Sequence, residues 1–320
     1  YSSNINAITI PEFYSKRFHD KKNVLNAIAA LVIIVFFIPY TASGFKACGT
    51  LFNSLFGVDY TVAMIISAIV IVSYTIMGGF KAVSTTDLVQ SIVMTIALAV
   101  VLGFGIHVAG GMGAVISNAK EMPGYLTMFA SHVRETNSST PYSALTIAST
   151  LAWGLGYFGM PHILVRFMSI KSSSMIKKSR RIAIVWVIIT LVASVAVGVL
   201  GYVYLFQTEG TVLEGAASET IFMVLVQRLT PGFIAGILLC AIVAAIMSSS
   251  DSQMLVTASA ISNDIYKTIF RKEATDKELL RVSKIAVIAV AVIAFVLALN
   301  PDNSVMNLVS YAWAGLGAAF

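Results

Sequence analysis

Long apolar segments are the feature of this sequence that most restricts its fold. We identify eight of them, at residues 24–52, 59–79, 87–109, 143–166, 182–206, 232–262, 280–299 and 303–320. Most are near the length of about 20 residues with which an α-helix crosses a bilayer. Only α-helices and closed β-barrels satisfy all their backbone hydrogen bonds within a bilayer. These segments lack the alternating pattern of barrel strands. We therefore predict an all-α integral membrane protein with about eight transmembrane helices.

Composition and charge agree with that class. Hydrophobic residues make up 58% of the chain and charged residues 11%, with a mean hydropathy of +0.86. Most basic residues fall in segments 16–22, 166–181 and 267–284 or at Lys81. The order of the predicted spans places all four of these regions on the same side of the membrane. The positive-inside rule makes that side cytoplasmic, in a multi-pass protein of the cytoplasmic (inner) membrane. The net charge of +6 is thus a topology signal, and the expected partner is the lipid bilayer, not a nucleic acid.

Three further features bear on organisation. The chain begins without Met and stops at Phe320 inside an apolar run, so we expect residues 1–320 to be a fragment of a single transmembrane domain. Cys48 and Cys240 both lie within predicted spans, which gives no disulfide framework or zinc spacing. Lys46 lies inside the first span, where we expect its ammonium group to snorkel outward.

Polar residues interrupt the sixth apolar segment. Ser248, Ser249, Ser250, Asp251 and Ser252 follow one another within the apolar stretch 233–256. A carboxylate at that depth costs several kcal/mol unless it faces a cavity, an ion or a partner. Spacings of three and four residues place Ser248, Asp251 and Ser252 on one side of a helix. Hard oxygen ligands on one face predict a cation site.

The fourth apolar segment contains a predicted break. Three glycines and one proline occur between Gly154 and Pro161, and irregular backbone is tolerated within a membrane only where it is buried in protein or lines a cavity. The freed backbone groups around Gly154 can then bind a solute, with Trp153 and Tyr157 as one aromatic wall. The alternative is a proline kink with glycines for close helix packing.

Four stretches of this chain resemble the sodium/solute symporter family, and within it the sodium/proline symporters. They are WGLGYFGMPHILVRFM (153–168), AAIMSSSDSQMLVTASAISNDIYK (244–267), YTIMGGFKAVSTTDLVQ (74–90) and SYAWAGLGAAF (310–320). The resemblance covers essentially all 320 residues. It implies a leucine-transporter-type fold of two inverted five-helix repeats. It also implies that the first core helices and the C-terminal end are missing.

The resemblance assigns site residues. It implies a sodium site formed by the Ala245 carbonyl and the Ser248 and Ser249 hydroxyls. It implies a proline-like substrate site at Tyr40, Trp153, Tyr157 and Pro161, beside Gly154. Pro39 and Met160 depart from the family pattern next to this site.

We further hypothesise a pH-sensitive second cation site formed by Asp87, Asp251 and Ser252. Asp87 matches a position that some members use for a second cation, whereas Asp251 stands where many members have a small polar residue. Each carboxylate also has a structural alternative. Asp87 suits the N-cap or first turn of a helix. The alternative for Asp251 is a packing role, in which its carboxylate forms a hydrogen bond to a neighbouring helix.

The residues and the resemblance together predict a sodium-coupled secondary active symporter that imports a small amino acid, with L-proline favoured and Na⁺ as the coupling ion. Two alternatives remain open. One is a sodium symporter for another solute, such as pantothenate or another carboxylate or zwitterion. The other is a transporter-like sensor domain of a signalling protein. No GxSxG, HExxH or facing aspartate pair appears, so we do not expect an enzyme.

Overall fold

Helices form most of the protein. The computed structural model describes residues 5–300 and 304–320. The α-helices are α1 (Ile10–Arg17), α2 (Val24–Phe56), α3 (Tyr60–Val108), α4 (Met112–Lys120), α5 (Ala144–Gly156), α6 (Pro161–Met168), α7 (Ile176–Glu209), α8 (Ile221–Leu229), α9 (Gly232–Ser259), α10 (Asp276–Ala298) and α11 (Val305–Ala319). Short 3₁₀ helices span Tyr157–Gly159, Ser173–Met175 and Gly215–Thr220, and a π-helix spans Ala260–Phe270.

The chain forms two compact units. The first contains residues 1–90, 155–179 and 243–320, and the second contains residues 91–154 and 180–242. All but two of the candidate site residues named above belong to the first unit, the exceptions being Trp153 and Gly154.

Helix α2 is central to the first unit, where it packs against α1, α10, α11 and the π-helix. Its buried face includes Ile33, Phe37 and Phe45, each no more than 1% exposed. Lys46 belongs to this buried face as well, at 2% exposed, with its Nζ 5.7 Å from the centre of the Tyr60 ring. The prediction that Lys46 snorkels outward was therefore wrong, because the ammonium group meets an aromatic face within the protein.

The second unit contains a β-hairpin that the all-α prediction did not include. Strand β1 (Ala130–Val133) pairs antiparallel with β2 (Ser138–Pro141), with Ala130 opposite Pro141. The turn between them closes with a hydrogen bond from the Asn137 amide to the Arg134 carbonyl, at 3.1 Å, and Asn137 has a φ of 46°. Asparagine tolerates this left-handed conformation, which favours a hairpin in a polar connecting segment.

The helical membrane class is confirmed, but the count of eight spans is not. Among the described residues, five helical segments are long and apolar enough to cross a membrane: Val24–Phe56, Tyr60–Val108, Ser173–Glu209, Gly232–Phe270 and Asp276–Ala298. Helix α3 contains two of the predicted spans, separated where Gly79 has a φ of 61° and a ψ of −172°. The fourth predicted span is divided at Tyr157, and α11, at 15 residues, is shorter than a typical span.

Candidate functional site

The chain between α5 and α6 is broken as the sequence predicts. Helix α5 ends at Gly156, Tyr157–Gly159 form one turn of 3₁₀ helix, and Met160 is extended, with a φ of −79° and a ψ of 107°. Pro161 then begins α6. Proline favours the first position of a helix and disfavours helical backbone in the residue before it, which accounts for the break at this point.

Within the first unit, glycines bring this break close to α11. A Cβ atom added to Gly159 would lie 2.6 Å from the Leu316 carbonyl oxygen, and one added to Gly317 would lie 2.7 Å from the Gly156 Cα. Real side chains cannot approach backbone so closely, so only glycine permits this packing. The glycines of the break are therefore explained in part by packing, which was the alternative to a binding site.

Aromatic side chains surround the break in the first unit. The Tyr157 ring meets the Trp313 ring edge-on, with centroids 4.6 Å apart and planes at 79°. The centroids of the Tyr40 and His162 rings lie 6.1 Å apart, and His162 directly follows the buried Pro161. The Tyr40 hydroxyl also lies near the side chains of Trp313 and Gln253. The structure thus brings Tyr40, Tyr157 and Pro161 together, with Tyr157 still 37% exposed.

Three neighbours of this cluster were not selected from sequence, namely His162, Gln253 and Trp313. Each lies in a stretch that carries the family resemblance, and that is the signal by which they could have been found. Gln253 is 1% exposed and its Oε1 atom has no hydrogen-bond partner among the described residues, so this oxygen is available to a donor on a ligand.

Trp153 and Gly154 lie in the last turn of α5, within the second unit. The Trp153 side chain is half-buried and Gly154 is exposed. Their place in the substrate site remains a prediction.

The predicted sodium ligands occupy the middle of α9. The Ser248 hydroxyl donates to the Ala245 carbonyl oxygen at 3.0 Å, while Ser249 is exposed. A serine hydroxyl that donates one hydrogen bond keeps lone pairs for a ligand. The Ser248 hydroxyl oxygen therefore remains able to accept a cation, and the role of all three residues as sodium ligands remains a prediction.

Asp251 is fully buried and hydrogen-bonded across helices. Its Oδ2 atom accepts from the Tyr74 hydroxyl of α3 at 2.9 Å, and its Oδ1 atom lies 3.2 Å from the Ser252 Oγ. The Tyr74 hydroxyl also lies 3.1 Å from the Met247 carbonyl oxygen. This is the packing arrangement that we considered as the alternative to a cation role for Asp251.

Arg166 connects the two carboxylates of the predicted second cation site. Its Nη2 atom donates to the Ser252 Oγ at 2.6 Å and forms an ion pair with Asp87. Asp87 lies within the helical part of α3 that follows Gly79, so it is not an N-cap. The structure thus brings Asp87, Ser252 and Asp251 into one hydrogen-bonded chain, with a guanidinium group beside Asp87. Sequence reasoning had counted Arg166 only among the charges that set topology.

Comparison with known proteins identifies the family. The family model described as Sodium:solute symporter family matches residues 1–320. The chain belongs to the sodium:solute symporter family. It is 43% identical over 315 residues to the osmoregulated proline transporter OpuE of Bacillus subtilis (strain 168), covering 98% of this chain and 61% of that protein. It is also 43% identical over 320 residues to the sodium/proline symporter of Escherichia coli (strain K12), covering 99% of this chain and 62% of that protein.

The resemblance stated from sequence is thereby confirmed. This symporter-family chain spans about three fifths of the length of the curated relatives it matches. Among solved structures, it is similar to a substrate-bound, outward-open Na⁺-coupled sialic acid symporter, with a TM-score of 0.69. The alignment covers 84% of this chain and 57% of that one at 20% identity, which establishes a shared fold alone.

Proposed function

We propose that the protein is a sodium-coupled secondary active symporter of the cytoplasmic (inner) membrane that imports a small amino acid, L-proline above all. The observation that carries the proposal is the broken helix at Tyr157–Met160, surrounded by aromatic side chains within one compact unit. The names of the relatives, which are 42–44% identical over nearly the whole chain, support proline as the solute.

For the fold, we propose the leucine-transporter arrangement of two inverted five-helix repeats, in one transporter domain of which residues 1–320 form part. The TM-score of 0.69 to a sodium-coupled symporter supports this arrangement. Broken helices at mid-membrane are the place where such folds bind substrate and ion, and the break before Pro161 fits that rule.

In the proposed substrate site, Tyr40, Tyr157 and Pro161 hold the ring of a proline-sized zwitterion; Trp153 and Gly154 remain members of the site by sequence prediction only. Aromatic faces attract both the apolar ring and its ammonium group, each with on the order of 1 kcal/mol. Trp313 holds Tyr157 edge-on, which limits the orientations available to the tyrosine ring.

In the proposed sodium site, the Ala245 carbonyl and the Ser248 and Ser249 hydroxyls supply three oxygens, and the remaining ligands lie elsewhere in the protein. One sodium ion that moves with a neutral zwitterion gains about 2.3 kcal/mol per 100 mV of membrane potential, or roughly 50-fold accumulation. Sodium binding then raises the affinity for the zwitterion, and binding of the zwitterion raises the affinity for sodium by the same factor, as linkage requires.

We further propose that Asp87, Asp251 and Ser252 hold a second cation when Arg166 releases them. In this structure the Arg166 guanidinium group supplies the positive charge beside Asp87 and Ser252. A bound cation therefore has to replace its contacts to these two residues. Charge-to-substrate ratios in proteoliposomes test this point. Asp251→Asn should lower the ratio from two to one, and a ratio of one in both proteins would leave Asp251 as a hydrogen-bonding residue only.

Uptake of labelled L-proline by the full-length protein in proteoliposomes tests the function itself. An inward sodium gradient should drive accumulation, and an equal potassium gradient should not. Preferential uptake of pantothenate or another solute would move the protein to a different substrate, and no solute uptake at all would contradict a transport function.

A further inference from the structure

A cavity of about 460 Å³ lies in the first unit; Pro161 is part of its lining, whereas Tyr40 and Tyr157 are not. It is bounded by the start of α1, by α6, by the end of α9 with the following π-helix and by the start of α10, with Ile33 of α2 and Phe80 of α3 also in its lining. Apolar side chains line most of it, and its polar groups include Thr9, Ser262, Asn263, Asp264 and Asp276. A cavity of this volume is large enough for a small ligand or a hydrated ion.

Asp264 is the polar group of this cavity that lacks a complete set of partners. The residue is 2% exposed, and its Oδ1 atom accepts a 2.5 Å hydrogen bond from the Thr9 hydroxyl. Its Oδ2 atom is buried and has no hydrogen-bond partner among the described residues. A buried carboxylate oxygen without a donor is costly, so the site favours a ligand that brings positive charge.

The backbone around Asp264 holds the carboxylate in place. The Asn26 side-chain amide of α2 donates to the Asp264 carbonyl oxygen at 2.8 Å, and the Asn26 Oδ1 atom is itself buried without a partner among the described residues. Asp264 also lies within a π-helix, a conformation that is rare and is frequent at functional sites. In this helix the Thr268 hydroxyl donates to the Asn263 carbonyl, five residues earlier, at 3.0 Å.

The charges around the cavity have one sign. Two carboxylates, those of Asp264 and Asp276, belong to its lining. Among the described residues, no lysine, arginine or histidine lines it. A largely apolar cavity with carboxylates and no cationic side chain in its described lining attracts cations, most strongly at the buried Asp264, where solvent screens the charge least.

We propose that this cavity binds a monovalent cation on Asp264. The Oδ2 atom is the principal ligand, and water completes the coordination. The site is separate from the one at Ser249, because 15 residues of helix span about 22 Å. It lies toward the side that the positive-inside rule makes cytoplasmic, where an ion leaves after transport. The assignment of the cation as sodium rests on the proposed symport function.

Equilibrium binding of ²²Na⁺ to the purified full-length protein tests the proposal. Asp264→Asn should remove one bound ion per protein or weaken its binding at least tenfold, because the amide has no negative charge. Asp276→Asn is the matched control, since this exposed residue lines the same cavity, and it should change the affinity less than twofold. Wild-type stoichiometry and affinity in Asp264→Asn would overturn the proposal.

Asp264 could instead serve only to anchor α1 through Thr9, and a second variant separates the two roles. Thr9→Val removes the hydrogen bond but leaves the carboxylate, so it should retain sodium binding while lowering the unfolding temperature. If Thr9→Val and Asp264→Asn destabilise the protein equally and neither changes sodium binding, the carboxylate is an anchor and the proposal fails. The Ser248→Ala/Ser249→Ala variant in the same assay reports on the proposed transport site alone, so failure of one site is distinguishable from failure of the other.

Thiol labelling gives a measurement that keeps Asp264 intact. Ser283, which lines the cavity, can be replaced by cysteine after Cys48 and Cys240 are changed to alanine. Sodium, compared with choline at equal ionic strength, should slow alkylation of this cysteine several-fold. Equal alkylation rates in the two salts would contradict a cation in the cavity.

Discussion

Arg166 holds polar groups of two other helices in place. Its guanidinium group pairs with Asp87 of α3 and donates to Ser252 of α9, next to Asp251. The Asp87 side chain is 12% exposed and its Oδ1 atom has no hydrogen-bond partner among the described residues. A carboxylate in that position depends on its counter-ion, because loss of one member of a buried pair leaves an uncompensated charge.

Replacement of Arg166 should therefore destabilise the protein through Asp87. We expect Arg166→Gln to lower the free energy of unfolding by about 1–3 kcal/mol, below the value for a fully buried pair because Arg166 is 36% exposed. The double variant Arg166→Gln/Asp87→Asn should recover part of that loss, since it removes the unpaired charge. Thermal unfolding in detergent measures both, with the exposed Arg180→Gln as control. A double variant less stable than Arg166→Gln would contradict the account.

Tyr157 should contribute to substrate affinity. Loss of one aromatic contact of about 1 kcal/mol predicts that Tyr157→Ala raises the apparent constant for proline about fivefold. Tyr157→Phe should keep most of the affinity, because the ring and its contact with Trp313 remain. Phe158→Ala is the matched control, since its side chain is 76% exposed. Concentration dependence of initial uptake rates decides the matter, and an unchanged constant in Tyr157→Ala would remove this residue from the substrate site.

Single residues were predicted unevenly from sequence. The pattern at Ser248–Ser252 identified a polar cluster within a helix, and Asp251 is indeed buried there with polar partners. The pattern did not reveal Arg166 or Tyr74, because neither spacing nor composition indicates which distant side chain meets a buried carboxylate. Lys46 was placed wrongly for a similar reason, since its aromatic neighbour Tyr60 belongs to another helix.

At the scale of elements, the break between α5 and α6 was readable because proline and glycine act locally on the backbone. The contact between this break and α11 could not be predicted from the sequence, because it depends on how distant helices pack together. The hairpin of β1 and β2 was missed because its strands are only four residues long and have no apolar alternation.

The glycines of the break give a prediction at this scale. Gly159→Ala should lower the free energy of unfolding by about 2 kcal/mol, because the new Cβ would lie 2.6 Å from the Leu316 carbonyl oxygen and α11 would have to move. Gly198→Ala in α7 is the control, since its Cβ would meet no atom within 4 Å, and it should be tolerated. Thermal unfolding compares the two. Equal stability in both variants would show that the close approach of α11 is not required.

At the scale of the whole molecule, composition was sufficient to predict a helical membrane protein. It was not sufficient to count the spans, because hydropathy identifies apolar segments and not the points where helices join or break. Helix α3 joins two of the predicted segments across Gly79, while the fourth segment is divided at Tyr157. Neither composition nor the structure tests the sodium ligands on α9, so they remain predictions.

The sodium dependence of proline uptake tests the central claim most directly. It should be measured at saturating proline in proteoliposomes that contain the full-length protein or its Ser248→Ala/Ser249→Ala variant. The account predicts that loss of both hydroxyls shifts half-maximal activation to at least tenfold higher sodium, with much less change in proline affinity at saturating sodium. A variant that keeps the wild-type sodium activation curve would contradict the account, because the coupling ion would then bind elsewhere.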